Sequence, residues 1–273
     1  MLHQMNIYGK DRVQQAIERL QTFEPEEGYY LAFSGGKDSV TVKALMDMAG
    51  VKYDAHYSVT SVDPPELVQF VKTFEDVKFD YPTDRDGKVV TMWNLIPRKR
   101  MPPTRIVRYC CQYLKEGNGK GRFVVTGVRQ AESAKRKGRS GLELGDTKTS
   151  KREMLDPDNP SQELIHICPT KAQRILNPII DWSTDDVWEF IHEYNVPYCK
   201  LYDEGFERLG CVGCPMSTRQ KNELNRQPKI KKLYIRAFER MIDERKKAGL
   251  ETDWKTGEEV LSWWFGDKRK ELK

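Results

Sequence analysis

The stretch Tyr29-Tyr30-Leu31-Ala32-Phe33-Ser34-Gly35-Gly36-Lys37-Asp38-Ser39 decides the fold, because it joins an apolar run directly to a pair of glycines. Residues 29–33 have the length and the aromatic and aliphatic content of a buried strand. Residues 40–49 carry apolar side chains at helical spacing and are followed by Gly50, a common helix stop. A strand, a glycine turn and a helix in this order bring backbone N–H groups and a helix N-terminus onto one anion. The stretch therefore predicts a phosphate-binding turn.

Each residue type in the turn suits a phosphate group. Gly35 and Gly36 let the backbone approach an anion with no Cβ in the way. Ser34 and Ser39 add hydroxyl donors, and Lys37 adds a positive charge. The spacing is neither that of a Walker A loop, G-x-x-x-x-G-K-[ST], nor that of the dinucleotide fingerprint G-x-G-x-x-G. The alternative interpretation is an ordinary strand-to-helix turn rich in small residues.

Length and charge limit the class of protein. A chain of 273 residues fits one large α/β domain, or one domain with an appended lobe. Its net charge of +5 suits a phosphate-bearing partner without specifying nucleic acid. No run approaches the roughly 20 apolar residues of a membrane span, and residues 1–20 lack the apolar segment of a signal peptide. We therefore expect a cytoplasmic protein with no membrane partner.

Apolar runs that alternate with helical patterns predict an α/β fold with a doubly wound, mainly parallel sheet of the Rossmann-like type. Residues 53–59 and 123–128 supply two further strands. Ligands of such sheets lie at the carboxyl ends of the strands. We therefore expect the glycine turn, Asp63, and the segment Gly127-Val128-Arg129 to meet at one edge of the sheet.

The rest of the chain predicts helices and one long loop. Residues 11–22 are amphipathic, and residues 185–194 form a helical pattern opened by Ser183. Residues 133–160 are polar and rich in Gly and Pro, and we expect them to form a loop. We place a nucleotide-binding domain at residues 1–217 and a helical C-terminal extension at residues 218–273.

The cysteines form two pairs that are far apart in sequence. Cys110 and Cys111 are adjacent, and Cys211 and Cys214 form a Cys-x-x-Cys motif. In a chain without a secretory signal, such cysteines serve as metal ligands or catalytic thiols more often than as disulfides. Four thiolates can hold zinc or an iron–sulfur cluster, and the residues alone leave the two open. The alternative interpretation is four unrelated buried cysteines.

Several motifs in a fixed order resemble those of the phosphoadenosine phosphosulfate (PAPS) reductase family. Residues 34–39 resemble the pyrophosphate (PP) loop, Ser-Gly-Gly-x-Asp-Ser, of the adenine-nucleotide alpha-hydrolase superfamily that contains this family. Residues 109–115 are similar to the paired-cysteine segment of its iron–sulfur branch. Residues 126–136 resemble its Thr-Gly-x-Arg…Ser-x-x-Arg stretch. Residues 177–188 and 196–215 complete the order, so the resemblance covers roughly residues 28–217.

The resemblance implies a set of site residues. It implies a [4Fe–4S] cluster with the ligands Cys110, Cys111, Cys211 and Cys214. It also implies an adenine nucleotide, either ATP or a sulfonucleotide (APS or PAPS). We expect the nucleotide to be bound by Ser34, Gly35, Gly36, Lys37, Asp38, Ser39, Asp63, Gly127, Arg129 and Arg136.

One departure from the family pattern bears on the reaction. Reductases of this family attack the sulfonyl group with a cysteine in a C-terminal Glu-Cys-Gly segment, and this chain has no cysteine after Cys214. The thiolate is the nucleophile of that chemistry, and no other side chain replaces it easily. Residues 60–66 also differ from the Asp-Thr-Gly stretch that is usual in these reductases.

Three functional hypotheses follow. The first is an enzyme that cleaves ATP to AMP and pyrophosphate, in an adenylation or sulfur-transfer reaction, with Lys37, Asp38 and Arg129 as catalytic residues and Mg²⁺ positioned by Asp38. In this hypothesis its basic segments, such as residues 98–108, contact nucleic acid. The alternative is that they are charged surfaces exposed to solvent. The second is a sulfonucleotide reductase that uses Cys199, or a thiol of a thioredoxin-like or sulfur-donor protein. The third is a non-catalytic module that senses a nucleotide or the redox state.

Overall fold

The computed structural model describes residues 2–5, 9–115, 118–145, 152–155, 157–158 and 173–266. The chain divides into two compact units, each assembled from three segments. The first, which we call the sheet unit, comprises Met1–Tyr57, Glu66–Phe79 and Gly119–Leu209. The second, which we call the helical unit, comprises Ser58–Pro65, Asp80–Asn118 and Gly210–Lys273. The units are thus discontinuous in sequence, and the division proposed at residues 217 and 218 stays a prediction.

Seven strands form one sheet among the described residues. They are β1 (Tyr29–Ala32), β2 (Tyr53–Ser58), β3 (Val77–Asp80), β4 (Phe123–Val125), β5 (Leu142–Gly145), β6 (Arg152–Leu155) and β7 (Gln173–Leu176). Their order across the sheet is β3-β2-β1-β4-β7-β5-β6. Strand β1 pairs in parallel with β2 and β4, and β4 pairs in parallel with β7. The predicted α/β, mainly parallel, doubly wound sheet is confirmed.

The strand order explains where a ligand would lie. From β1 the chain continues to β2 and β3 on one side, and later to β4 and β7 on the other side. The order therefore reverses between β1 and β4, and such a reversal opens a crevice beyond the carboxyl ends of the two strands. Residues 34–39 follow β1, and Gly127 follows β4. The topology thus places both segments at the same switch point.

Nine helices lie in the part of the chain that the structure describes. They are α1 (Arg12–Thr22), α2 (Lys37–Ala49), α3 (Pro65–Val71), α4 (Met92–Lys99), α5 (Tyr109–Leu114), α6 (Thr184–Glu193), α7 (Gln220–Arg226), α8 (Pro228–Lys247) and α9 (Gly257–Phe265). Asp11 and Ser183 each form a capping box, in which the side chain accepts the N–H of the third helical residue. The predicted helices near residues 11–22 and 185–194 are therefore confirmed.

The prediction of a loop over residues 133–160 is wrong for two segments. Strand β5 pairs antiparallel with β7, and β6 pairs antiparallel with β5. Glu143 on β5 is fully buried and accepts hydrogen bonds from Arg139 and Asn177. Four-residue strands of mixed composition carry a weak signal of their own, because their stability comes from cross-strand neighbours. Residues 146–151, 156, 159 and 160 of this segment lie outside the described residues.

The helical unit has its own apolar core. Tyr234 and Phe238 of α8 pack against Trp264 of α9, with ring centroids 5.0 and 5.5 Å apart. The indole N–H of Trp264 donates to the carbonyl of Pro103 at 2.6 Å, so this buried polar atom is satisfied. None of the described helices is long and apolar enough to cross a bilayer.

Candidate functional site

The PP loop, residues 34–39, lies between β1 and α2, and its backbone requires glycine at position 35. Gly36 is the N-cap of α2, and Lys37 is the first helical residue. Gly35 has a φ of 71°, in the left-handed region that side chains disfavour. A Cβ there would lie 2.5 Å from Cγ2 of Val71 and 2.9 Å from Cδ1 of Leu67 on α3. The loop is therefore held tightly against α3.

Ser39 closes the loop on itself. Its hydroxyl donates to the carbonyl of Gly36 at 2.8 Å and accepts the backbone N–H of Ser34 at 3.3 Å. The hydroxyl of Ser34 lies 3.2 Å from Oγ of Ser39. Ser39 is buried, so its hydroxyl fixes the shape of the loop before any ligand binds.

Asp38 and Arg129 form an ion pair at the switch point. Arg129 Nε donates to Asp38 Oδ1 at 2.7 Å, and Arg129 Nη1 donates to the carbonyl of Trp182 at 3.2 Å. Arg129 is only 1% exposed, so burial of this cation depends on its partners. A Cβ on Gly127 would lie 2.9 Å from the backbone of Asp38, which explains the glycine after β4. The structure thus brings Asp38, Gly127 and Arg129 together, as the sequence predicts, with Arg129 directed at Asp38.

Lys37 is held beside this pair. The residue is 5% exposed, and Nζ lies 3.5 Å from Asp38 Oδ2 and 3.4 Å from the carbonyl oxygen of Glu207. Its backbone N–H donates to the hydroxyl of Tyr202 at 2.9 Å. Sequence reasoning missed Tyr202, because nothing in the motif order connects it with a loop 165 residues earlier in the chain.

Positive charge accumulates beside the PP loop. Arg136 forms an ion pair with Glu132, whose carboxylate also accepts the N–H of Arg129. Burial lowers the pKa of Arg136, and the positive charges of Arg208 and Arg139 lower it further, against the opposite effect of Glu132. An excess of guanidinium groups at one place favours an anionic ligand. Arg208 was also missed by sequence reasoning.

Cys199 lies in the sheet unit and is fully buried. Burial raises the pKa of its thiol above the ordinary value. A buried neutral thiol is a poor nucleophile, because the thiolate is the reactive form.

Asp63 belongs to the helical unit, and the structure groups it with the cysteines. Its carboxylate accepts the hydroxyl of Thr60 at 2.7 Å. The carbonyl of Val62 accepts the N–H of Val212, between Cys211 and Cys214, at 2.8 Å. The negative charge of Asp63 also raises the pKa of Cys211. Its predicted role in nucleotide binding stays a prediction.

All four predicted cluster ligands lie in the helical unit, in two pairs. The hydrogen bond between Cys110 and Cys111 raises the pKa of Cys110 and lowers that of Cys111. Arg108 lies 3.2 Å from Cys111 Sγ and stabilises its thiolate. Burial raises the pKa of Cys211 to about 11, while the adjacent ammonium of Lys115 opposes this shift.

The second pair sits on a tight turn. The N–H of Cys214 donates to the carbonyl of Cys211 at 3.2 Å. Gly213, with a φ of 75°, makes the turn possible, and a Cβ there would lie 2.9 Å from Leu224. A Cys-x-x-Cys turn of this kind suits two ligands of one metal centre.

The types of donor group suit an iron–sulfur cluster, but the donor groups are not placed together as its ligands. Four thiols in one unit, with Arg108 and Lys115 beside them, are the donors and counter-charges that such a cluster requires. The negative charge of Cys214 raises the pKa of Cys211, and that of Cys211 raises the pKa of Cys110. Over the described residues, however, no three Cys, His, Asp or Glu side chains are placed to share a metal ion.

Comparison with solved structures finds distant similarity. A phosphoadenylyl-sulfate (PAPS) reductase from Candida auris is 14% identical, with a TM-score of 0.46 over 72% of this chain and 87% of that chain. A yeast FAD synthetase is 13% identical, with a TM-score of 0.44 over 93% of this chain and 85% of that chain.

Comparison with curated proteins finds relatives of two kinds. An uncharacterized protein of Methanocaldococcus jannaschii is 29% identical over 257 residues, which are 89% of this chain and 53% of that protein. The chain thus spans about half the length of this relative. Adenosine 5'-phosphosulfate reductase 2 of Bacillus subtilis is 33% identical over 84 residues, 31% of this chain and 32% of that protein. The family profile of the phosphoadenosine phosphosulfate reductase domain matches residues 28–217, well over half of the chain, and the chain therefore belongs to this family.

Proposed function

We propose that this protein binds an adenine nucleotide through the PP loop and cleaves ATP to AMP and pyrophosphate. The observation that carries the proposal is the arrangement at the start of α2. There a preformed glycine loop, the backbone N–H and ammonium of Lys37, and the Asp38–Arg129 pair lie at the switch point of the sheet. A helix N-terminus with a lysine at its first position is a site for phosphate groups.

The residues divide the work between binding and positioning. The N–H groups of the loop and the ammonium of Lys37 would hold the β- and γ-phosphates. They would also stabilise the charge that the pyrophosphate gains as it leaves the α-phosphate. Arg129 fixes Asp38 through Oδ1, and Oδ2 lies beside Lys37, where Asp38 would help to position a magnesium ion. A magnesium ion there would neutralise phosphate charge.

We further propose that Cys110, Cys111, Cys211 and Cys214 hold a [4Fe–4S] cluster. The support is the membership of the family, the placement of all four thiols in one unit, and the cations beside them. In this proposal the cluster ties α5 to the Cys-x-x-Cys turn within the helical unit. Its binding would thus be coupled to the folding of that unit.

The test uses anaerobically purified protein in which iron and acid-labile sulfide have been quantified. We expect pyrophosphate to be released from ATP with Mg²⁺, and we expect Asp38→Asn to abolish the release while leaving iron content unchanged. Asp203→Asn is a matched control, since Asp203 is exposed and accepts the hydroxyl of Tyr198. Equal release by wild type and Asp38→Asn would overturn the assignment.

A second candidate, a sulfonucleotide reductase, is favoured by the similarity to the adenosine 5'-phosphosulfate reductase of Bacillus subtilis. Against Cys199 as the nucleophile of this reaction stands its burial, and a thiol of a partner protein is then the alternative nucleophile. Incubation with adenylyl sulfate and thioredoxin distinguishes the two, because only the reductase forms sulfite. Nucleotide binding without either product would instead indicate a sensing module.

A release of pyrophosphate would leave the acceptor of the adenylyl group to be identified. An open cavity of about 540 Å³ in the helical unit is lined by basic residues, among them Arg98 of α4, Arg100 directly after α4, and Arg240 of α8. Asp243 and Glu244 line the same cavity, so its charge is mixed. Repeating the assay with added transfer RNA, DNA or small-molecule acceptors would separate a nucleic-acid acceptor from the others.

A further inference from the structure

We propose that Tyr202 competes with phosphate for the PP loop: its hydroxyl holds the first N–H of α2, and a phosphoryl group must displace it to bind. This inference rests on the proposed function, because it assumes that the loop binds phosphate. It adds a residue that sets the affinity of the site and that no motif of the loop contains.

The contact has the geometry of an anion site filled by a neutral oxygen. The N–H of Lys37 donates to Tyr202 Oη at 2.9 Å. The first N–H groups of a helix have no partner within the helix, and at a phosphate site the ligand supplies it. In this structure Tyr202 supplies it instead.

The hydroxyl also lies against the centre of the loop. A Cβ built on Gly36 would lie 3.5 Å from Tyr202 Oη, so the tyrosine covers the N-cap of α2. The ammonium of Lys37 is 5.7 Å from the centroid of the Tyr202 ring. An oxygen of a phosphate group cannot accept the Lys37 N–H in good geometry while Oη remains in that position.

The chemistry of the two acceptors decides the exchange. Burial raises the pKa of Tyr202, so the hydroxyl stays neutral at physiological pH. Hydrogen bonds to a charged acceptor are about twice as strong as those between neutral groups. The ammonium of Lys37 also attracts a phosphate anion more strongly than it attracts the neutral ring of Tyr202. A phosphoryl oxygen therefore replaces Oη. The free energy of the hydrogen bond that Tyr202 loses weakens the binding of phosphate by that amount.

The surroundings of Tyr202 provide a signal for its release. Tyr202 ends a short 3₁₀ turn, Lys200–Tyr202, and its ring packs edge-on against Trp188 of α6, with centroids 5.1 Å apart. Tyr198 packs against the same tryptophan at 5.3 Å, but its hydroxyl donates to Asp203. Tyr198 is therefore a matched control that shares the aromatic neighbour.

The experiment titrates inorganic pyrophosphate into the full-length chain by calorimetry, for wild type, Tyr202→Phe and Tyr198→Phe. Removal of one hydrogen bond from the free state should lower the Kd of Tyr202→Phe about threefold to tenfold. The Kd of Tyr198→Phe should equal that of wild type. Pyrophosphate should also change the tryptophan fluorescence of wild type, and Trp188→Phe should remove that change.

The outcomes separate this inference from the function on which it rests. A Kd for Tyr202→Phe equal to or higher than that of wild type, with pyrophosphate bound by both, overturns only the competition. It would make Tyr202 a neutral cover or a phosphate ligand. If neither wild type nor either variant binds pyrophosphate, the PP loop is not a phosphate site, and the proposed competition is overturned as well. Binding by Tyr202→Phe alone supports both.

Discussion

The PP loop and the cysteine pairs differ in how their polar side chains are partnered in the absence of a ligand. In the loop, Ser39 satisfies Ser34 and Gly36, Arg129 neutralises Asp38, and Tyr202 satisfies Lys37. The thiols of the cysteine pairs are instead polarised by one another and by nearby cations. The polar groups of the loop are paired without a ligand, whereas only a bound metal centre would join the two cysteine pairs. The two regions should therefore respond differently to loss of a ligand.

Replacing a cysteine of the helical unit is the largest perturbation that this contrast predicts. We expect Cys211→Ser to lose the bound iron and sulfide, because one of four ligands is gone. Hydrogen exchange should then become faster in the helical unit, while the amides of β1 and β4 keep their protection. The measurements are iron and sulfide per chain after anaerobic purification, and exchange followed by mass spectrometry.

The control for this experiment is Cys199→Ser, in the sheet unit, which should retain all of the iron. Unchanged iron in Cys211→Ser would remove this residue from the ligand set. Equal loss of protection in both units would contradict the separate behaviour of the loop and the cysteines.

The loop should be most sensitive at Gly35. Gly35→Ala places a side chain at positive φ, which costs about 1–2 kcal/mol, and presses it against Val71 and Leu67, which adds a similar amount. We expect a loss of about 3 kcal/mol in the free energy of unfolding, measured by urea titration.

Gly50→Ala, at the other end of α2, is the matched control. Gly50 has a φ of 68°, but nothing lies within 4 Å of the added Cβ. Its loss should be only about 1–2 kcal/mol, the cost of the backbone strain alone. Equal losses for the two variants would show that the packing of the loop against α3 contributes nothing.

Much of this contrast was predictable from sequence, because it depends on local patterns. The apolar run before Ser34, the glycine pair and the helical spacing after Ser39 are contiguous, and they specify a strand, a turn and a helix together. The position of Gly127 beside Asp38 also follows from pattern, since the carboxyl ends of parallel strands share one edge.

What the sequence could not show depends on distant partners. Arg129 was expected to clamp phosphate, and its burial against Asp38 becomes visible only when β4 and α2 are packed together. Tyr202 reaches the loop through the turn after α6, and Arg208 reaches Arg136 in the same way. Strand β5 forms on the edge that β7 offers, and β6 forms in turn on β5. Each of these features is set by tertiary contact, which overrides weak local preference.

A further prediction compares two thiols in protein freed of iron. The pKa of Cys111 is lowered by its hydrogen bond from Cys110 and by Arg108, and that of Cys199 is raised by burial. At any one pH the thiolate fraction of Cys111 is therefore larger than that of Cys199. We expect iodoacetamide to modify Cys111 at least roughly ten times faster, as measured by peptide mass spectrometry.

The alkylation rates of the two thiols should also depend differently on pH. A group with a lowered pKa stays ionised as the pH falls toward that pKa, so alkylation of Cys111 should persist at pH 6. Alkylation of Cys199 should rise only under alkaline conditions. Rates that rise together near the ordinary pKa of a thiol would show that the cysteine pairs are not polarised.

The smallest expected effect tests whether the loop is preformed. Ser39→Ala removes the hydroxyl that joins Ser34 to Gly36, and we expect the local free energy of opening to fall by about 1 kcal/mol. Hydrogen exchange of the amides of residues 34–40 measures it directly. Ser34→Ala, which leaves the bond between Ser39 and Gly36 in place, should lose less. If the two variants exchange alike, the loop is shaped by Gly35 and α3 alone, and the ligand-free order of this region is a matter of packing and not of its hydroxyl groups.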